Sequence, residues 1–302
     1  MNARQYTDKQ LKKLEKDIVT KYSETYKKAN KELIVLLNKI SMVKDLSLNE
    51  KLAIINRQDR FDKLCSLIAE EIKNTNVLAI SLINQTKKEV FKVNYNETAE
   101  MLKLPTITNT ESVEELKKIK NPFIDIAIQE EKNKSLIAGK IKSELLTGLL
   151  LGQGISDISE RLKNATQKFV NKSIGIARGE TTTVENTAIY TVGEKAKKEL
   201  EKEEKRVLAI PIVKKTQTRE TVQKKQEPKI IRKLFKRWDA VNDHKTRPAH
   251  AQVDGKEIEF DKPFSVGGEL MKFPGDRSLG ATDKNIINCR CRTQLIVKYF
   301  QN

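Results

Sequence analysis

The chain has 302 residues, a formal net charge of +17 and a pI near 9.6. Its hydrophobic fraction (38%) lies below, and its charged fraction (33%) above, those of ordinary globular domains. No stretch approaches the ~20 apolar residues of a membrane span, and MNARQYTDKQ is no signal peptide, so a membrane-embedded or exported chain is not expected. The length allows two domains, and the scarcity of Gly (12) and Pro (7) favours long helices. The charge suggests an anionic partner, nucleic acid or a membrane surface; lysine abundance of genomic origin would produce the same surplus. Three cysteines make no disulfide framework, so folding in a reducing cytoplasm is expected.

From Gln5 to about Met42, Leu11, Leu14, Ile18, Tyr22, Tyr26, Leu33, Leu37 and Ile40 recur at steps of three, four or seven, which predicts a helix. Ser47 and Glu50 have the spacing of a capping box, with a second helix running toward Asn56. A third starts near Asp59 and carries Leu64, Ile68, Ile72, Val77 and Ile80 toward Val90, with Cys65 as a small buried apolar residue. Leu104-Pro105 interrupts, and helix signals resume at Ser112 and after Pro122. Ser135 to Leu151 is apolar on one face. Gly152-Gln-Gly154 lacks the Gly-Lys-Ser/Thr ending of a phosphate loop and reads as a helix C-cap and turn. Ser156 is the expected N-cap of a helix beginning at Ser159–Leu162, and a long helix is expected from Lys168 to Glu203. On it, Arg178, Glu180 and Glu185 are candidates for ion pairs.

Between Glu201 and Arg237 there are thirteen Lys and Arg against five Asp and Glu. The run 207–213 is too short for a helix of its own and reads as a strand, with Pro211 marking an edge or bulge. Ile230 to Trp238 is a second strand-like run. Together they predict a hairpin-like arm with a basic tip. Lys214, Lys215, Arg219, Lys224 and Lys225 on that tip are the candidate phosphate contacts; a solvated or partner-binding basic loop is the alternative.

From Trp238 onward the long helical periods vanish. The stretch contains Trp238, then Asp243-His-Lys-Thr246-Arg247-Pro-Ala-His250, then Asp254-Gly255, then Pro274-Gly275-Asp276, then Asn288-Cys289-Arg290-Cys291. These blocks, in this order, resemble the phage head morphogenesis family, the Mu F-like minor head proteins. Lys245 stands where that family more often has Arg. Upstream, Gly148–Gly152, Ile155–Leu162, Ile176–Glu180 and Glu185-Asn186 look like the family's helical region, with Gly179 where Thr is usual. The likeness covers roughly residues 135–293.

The module's chemistry admits two readings. In one, Arg247 and Arg290 pair Asp243, Asp254 or Asp276 in a buried polar network, the thiols pack, and no cofactor is bound. In the other, His250, Cys289 and Cys291, with Asp254 or Asp243, hold a structural zinc; the ligand types suit zinc, although C-x-C lacks a familiar second ligand pair. The network is the expectation. His250 and Asp254 would share a face if their segment is helical; alternatively Asp254-Gly255 ends a turn. Catalysis is not expected, because no nucleophile elbow or oxyanion motif is visible.

The expected architecture is a mainly α N-terminal body with long helices (1–205), a basic hairpin-like arm (206–237) and a small α+β C-terminal domain (238–302). The resemblance implies a minor head protein inside the virion head near the portal. Its partners would be the portal protein, other capsid or scaffold components and, non-specifically, genomic double-stranded DNA, with host cytoplasm as the site of assembly and no membrane. Some members carry a further toxin domain; with the sequence ending at Asn302, none is expected here. The alternatives are a metal-dependent hydrolase or nuclease built on the His/Asp/Cys cluster, and a phage-related injected effector.

Overall fold

The structure, a computed structural model, describes residues 1–41, 47, 50, 53, 60–108, 133–209 and 229–301. The chain divides into two compact units. One comprises Thr7–Lys87 and Lys120–Thr181. The other comprises Met1–Tyr6, Lys88–Ile119 and Thr182–Asn302. No helix among the described residues is long and apolar enough to cross a membrane.

Among the described residues, four long helices make the α-rich part: α1 (Ala3–Ser41), α2 (Arg60–Met101), α3 (Lys134–Leu150) and α4 (Ile155–Ala209). The apolar stripe expected on α1 is its buried face. Leu14, Ile18, Tyr22, Leu33 and Leu37 are buried, with Leu11 and Tyr26 packed beside them. In the first unit this stripe joins Phe61, Ile68 and Ile72 of α2, Ile137, Ile141 and Leu145 of α3, and Leu162 and Phe169 of α4 in one core. Cys65 lies in the same core, and burial pushes its thiol up to about 12. A thin polar seam crosses it. The Tyr22 hydroxyl bonds Asn76 and lies 2.8 Å from Ser173 Oγ, while Thr25 and Thr75 hydroxyls meet at 2.6 Å. Each of these buried hydroxyls therefore has a partner, as the apolar surroundings require.

Ser47 and Glu50 form the reciprocal box their spacing implies: the Ser47 N–H donates to Glu50 Oε2 at 2.8 Å and the Glu50 N–H to Ser47 Oγ at 3.3 Å. The helices expected at Ser112 and after Pro122 lie outside the described residues. After α3, Gly152 takes φ +64° and the Gln153 N–H reaches the Gly148 carbonyl at 3.0 Å, so this turn is the expected C-cap.

Two expectations about α4 are corrected. Ser156 is no N-cap: the helix already starts at Ile155 and runs unbroken through Lys168. It also continues past Glu203 through Val207 and Leu208 to Ala209, where a strand was expected. A three-residue apolar run cannot nucleate a helix, yet it can extend one, because propagation costs far less than nucleation. Residues 210–228, with Pro211 and the whole basic tip, lie outside the described residues.

The small α+β region belongs to the second unit. Strand β1 (Ile230–Asp239) pairs antiparallel with β5 (Arg292–Gln301) over ten residues, from Ile230 opposite Gln301 to Asp239 opposite Arg292. Short β2 (Glu257–Glu259) adds to the other edge of β1, giving the order β2-β1-β5. A separate hairpin is built from β3 (Phe264–Val266) and β4 (Glu269–Met271). One-turn helices α5 (Pro248–Ala251) and α6 (Asp283–Ile286) complete it. Leu234, Phe260 and Leu295 pack against Ile189 and Ala196 of α4. The approach is close: a Cβ added to Gly193 would sit 2.3 Å from the Phe260 ring. Glycine at this position is what lets the module lie on the helix.

Candidate functional site

The motif residues gather where β1, α5 and the segment before β5 meet. Trp238 is fully buried at the centre, edge-on to His250 (ring centroids 5.6 Å apart) and to Phe264 (5.3 Å). Pro248 opens α5, whose missing N–H costs nothing at a helix start. That single turn carries His250 inward, 1% exposed.

His250 Nδ1 lies 3.3 Å from Cys291 Sγ and 3.6 Å from Cys289 Sγ. All three potential ligand atoms lie within 4.8 Å of one another, and all three residues are buried. Of the thiols, Cys289 is the more acidic. The Cys291 hydrogen bond stabilises its thiolate, and the Arg247 and Arg290 charges add to this. Cys291, the donor to that bond and itself buried, is pushed up.

Asp254 does not join the cluster. It accepts from the Ala240 N–H at 2.7 Å and from Asn242 Nδ2 at 2.5 Å, which holds its carboxyl below the usual range. The physical reason is local. Helix α5 ends at Ala251 and Gly255 takes φ +69°, so residue 254 has left the helical face that His250 occupies. Asp243 also faces elsewhere. It makes a two-pronged pair with Arg290 (2.5 and 2.6 Å), which keeps its carboxyl well below the usual range, and it accepts the Lys245 N–H. Thr246 bonds Asp243, and Arg247 donates to the Ile287 carbonyl.

The Pro274-Gly275-Asp276 turn seats on α4. Gly275 has φ +88°, and a Cβ there would lie 2.9 Å from Thr183 Oγ1, so only glycine fits both the backbone and the contact. Asp276 ties the turn by accepting the Lys272 and Ser278 N–H groups, each at 2.9 Å. Asn288 adopts φ +56°, turning the chain into Cys289.

Several residues central to this arrangement were not singled out as site residues from the sequence. Asn186 of α4, fully buried, donates to the Cys291 carbonyl at 3.1 Å and accepts the Thr293 N–H at 2.7 Å. Thr182 donates to the Cys289 carbonyl at 2.8 Å. These side chains clamp the C-x-C backbone onto α4. Glu185 pairs with Arg292 at 3.0 Å, and Arg292 also donates to Asn94 Oδ1 at 2.7 Å. The visible signals were Glu185-Asn186 within the upstream block and Glu185 as an ion-pair candidate.

Lys236 is the second surprise. It alternates with Leu234 and Trp238 on the inward face of β1 and is fully buried. Its ammonium lies over three rings: Tyr190 at 5.2 Å, Phe264 at 5.4 Å and Phe260 at 5.5 Å. Its Nζ has no hydrogen-bond partner among the described residues. Burial pushes its pKa down to about 8, against the opposing pull of Asp276 and Asp261. The folded chain therefore sheds this proton before the unfolded chain does. Stability should rise with pH from about 8 to the ordinary lysine range, by up to about 3 kcal/mol. Urea unfolding of the wild type and Lys236→Met across this range checks it: the variant should lose that rise, and an identical pH slope in both would refute the assignment.

A family model described as Phage Mu protein F like protein matches residues 205–294. Over 161 residues, 53% of this chain, the sequence is 26% identical to the NAD(+)--arginine ADP-ribosyltransferase EFV of Enterococcus faecalis. Over 271 residues, 86% of this chain, it is 22% identical to Minor head protein GP7 of Bacillus phage SPP1. The matches span 26% of the enterococcal protein and 76% of the phage protein. No solved structure matches.

Proposed function

We propose that the chain is a Mu F-like minor head protein, a minor capsid protein of the virion associated with the portal inside the head and acting in head morphogenesis and DNA packaging or delivery. The observation that carries this reading is the reach of the likeness to the SPP1 minor head protein, which covers 86% of the chain and so extends well beyond the module. Its partners are the portal protein and other capsid or scaffold components.

The module's role in this reading is structural rather than enzymatic. His250, Cys289 and Cys291 are 1–4% exposed, and the cavity beside them measures about 10 Å³. That is room for about one water, not for a nucleotide or a peptide. Nearly every motif residue is engaged in holding a turn, a strand end or another motif residue. The direct test is quantification of the protein in purified virions against the free pool after host lysis. Particle-bound copies are expected; a wholly free pool would overturn the proposal and favour a released effector.

Contact with packaged DNA follows from charge. The +17 surplus suits a protein facing phosphates, which need no base readout. Lys214, Lys215, Arg219, Lys224 and Lys225 are the proposed contacts. Log affinity for duplex DNA should fall linearly with log salt, by about 0.9 per phosphate neutralised. Replacing the five by Gln should make the slope shallower. A flat response, or an unchanged slope in that variant, would remove the arm from the proposal.

A further inference from the structure

We propose that His250 Nδ1, Cys289 Sγ and Cys291 Sγ are three ligands of a tetrahedral structural zinc ion, with water in the fourth position. The first support is distance. A tetrahedral zinc with Zn–N near 2.0 Å and Zn–S near 2.3 Å places its nitrogen and sulfur ligands about 3.6 Å apart. The two nitrogen–sulfur separations here are 3.3 and 3.6 Å.

The second support is valence. Both sulfurs converge on the same ring nitrogen. A neutral imidazole nitrogen offers either one lone pair or one N–H, so it makes one good hydrogen bond to one thiol, not two. Two sulfurs and a nitrogen all within 4.8 Å of one another have the spacing of ligands around one cation. The charges suit this too: two thiolates and a neutral imidazole balance a divalent ion.

The third support is preorganisation. The backbone of the C-x-C segment is held before any ion arrives, because Thr182 and Asn186 bond the carbonyls of Cys289 and Cys291. His250 is held from the other side by α5 and a T-shaped contact with Trp238. The ligands thus come from two segments about forty residues apart, and the ion would cross-link them. The cavity of about 10 Å³, bordered by Thr246, Arg247 and Asn288, is where the fourth ligand fits: roughly one water. Soft thiolates with imidazole in a four-coordinate site select zinc over the hard cations. Asp254 has no part in it, being spent on Ala240 and Asn242.

The test uses the full chain, purified without chelator and without a metal-affinity step. Elemental analysis should find about one zinc per chain. Cobalt exchanged into the site should show the visible bands of a tetrahedral thiolate complex. Cys291→Ser and His250→Ala should lose the metal, while Asp254→Asn should retain it. Should those two variants fail to fold, the wild type still decides: a strong chelator should remove the metal and lower the melting temperature, and added zinc should restore both. Folded wild type that is metal-free and takes up neither zinc nor cobalt would overturn the proposal. So would equal metal content in a Cys289→Ser/Cys291→Ser chain, or a Cys289–Cys291 disulfide in the protein as isolated.

Discussion

Replacing Trp238 by alanine should destabilise the C-terminal module by about 3–5 kcal/mol, the range for emptying a fully buried aromatic site. The chain's single tryptophan is 0% exposed, lies on the inward face of β1 and makes T-shaped contacts with the rings of His250 and Phe264. Its indole Nε1 has no hydrogen-bond partner among the described residues. The side chain therefore contributes through packing, and a smaller ring should retain most of that. Trp238→Phe is expected to cost about 1–2 kcal/mol. Urea unfolding followed by far-UV circular dichroism separates the two variants. Equal losses for Phe and Ala would mean that the indole N–H, not the ring, matters. A loss below ~0.5 kcal/mol for Ala would mean that the module is not centred on this residue.

What could be read from the sequence divides along the range of the forces involved. The α1 stripe was legible because helical period and burial are the same fact seen twice: Leu14, Ile18, Tyr22, Leu33 and Leu37 lie on one face and are buried. The capping box at Ser47 and the positive φ at Gly152 were legible for the same local reason. Helix extent was less so. Val207 and Leu208 look like a strand in isolation and are helical only because α4 is already there to be extended. The motif residues were recognisable, but their partners were not. Asp254 sits four residues from His250, yet a glycine one position later turns it away. Asn186 reaches the C-x-C backbone across more than a hundred residues of sequence, and no local pattern announces that. Lys236 is the instructive case. Strict alternation on β1 puts it inward, and only its charge argued otherwise; three aromatic rings resolve the conflict in favour of the alternation.

The same long-range logic governs the three ion-pair candidates of α4. Arg178 pairs with Glu15, Glu185 with Arg292, and Glu180 with Lys87, so each finds its partner on another element. The Lys87–Glu180 pair is the most enclosed of them, with side chains 15% and 5% exposed. Lys87→Met should be strongly destabilising, by about 3 kcal/mol or more, because it leaves the Glu180 carboxylate buried without its counter-charge. Little of that loss measures attraction; most is the desolvation of the abandoned carboxylate. The double variant Lys87→Met/Glu180→Met should consequently recover most of the stability, since removing both charges removes the penalty with the pair. Chemical unfolding of the two single variants and the double completes a thermodynamic cycle. A single variant within ~0.5 kcal/mol of wild type, or a double variant as unstable as the sum of the singles, would show that water reaches Glu180 and that the pair is not a buried one.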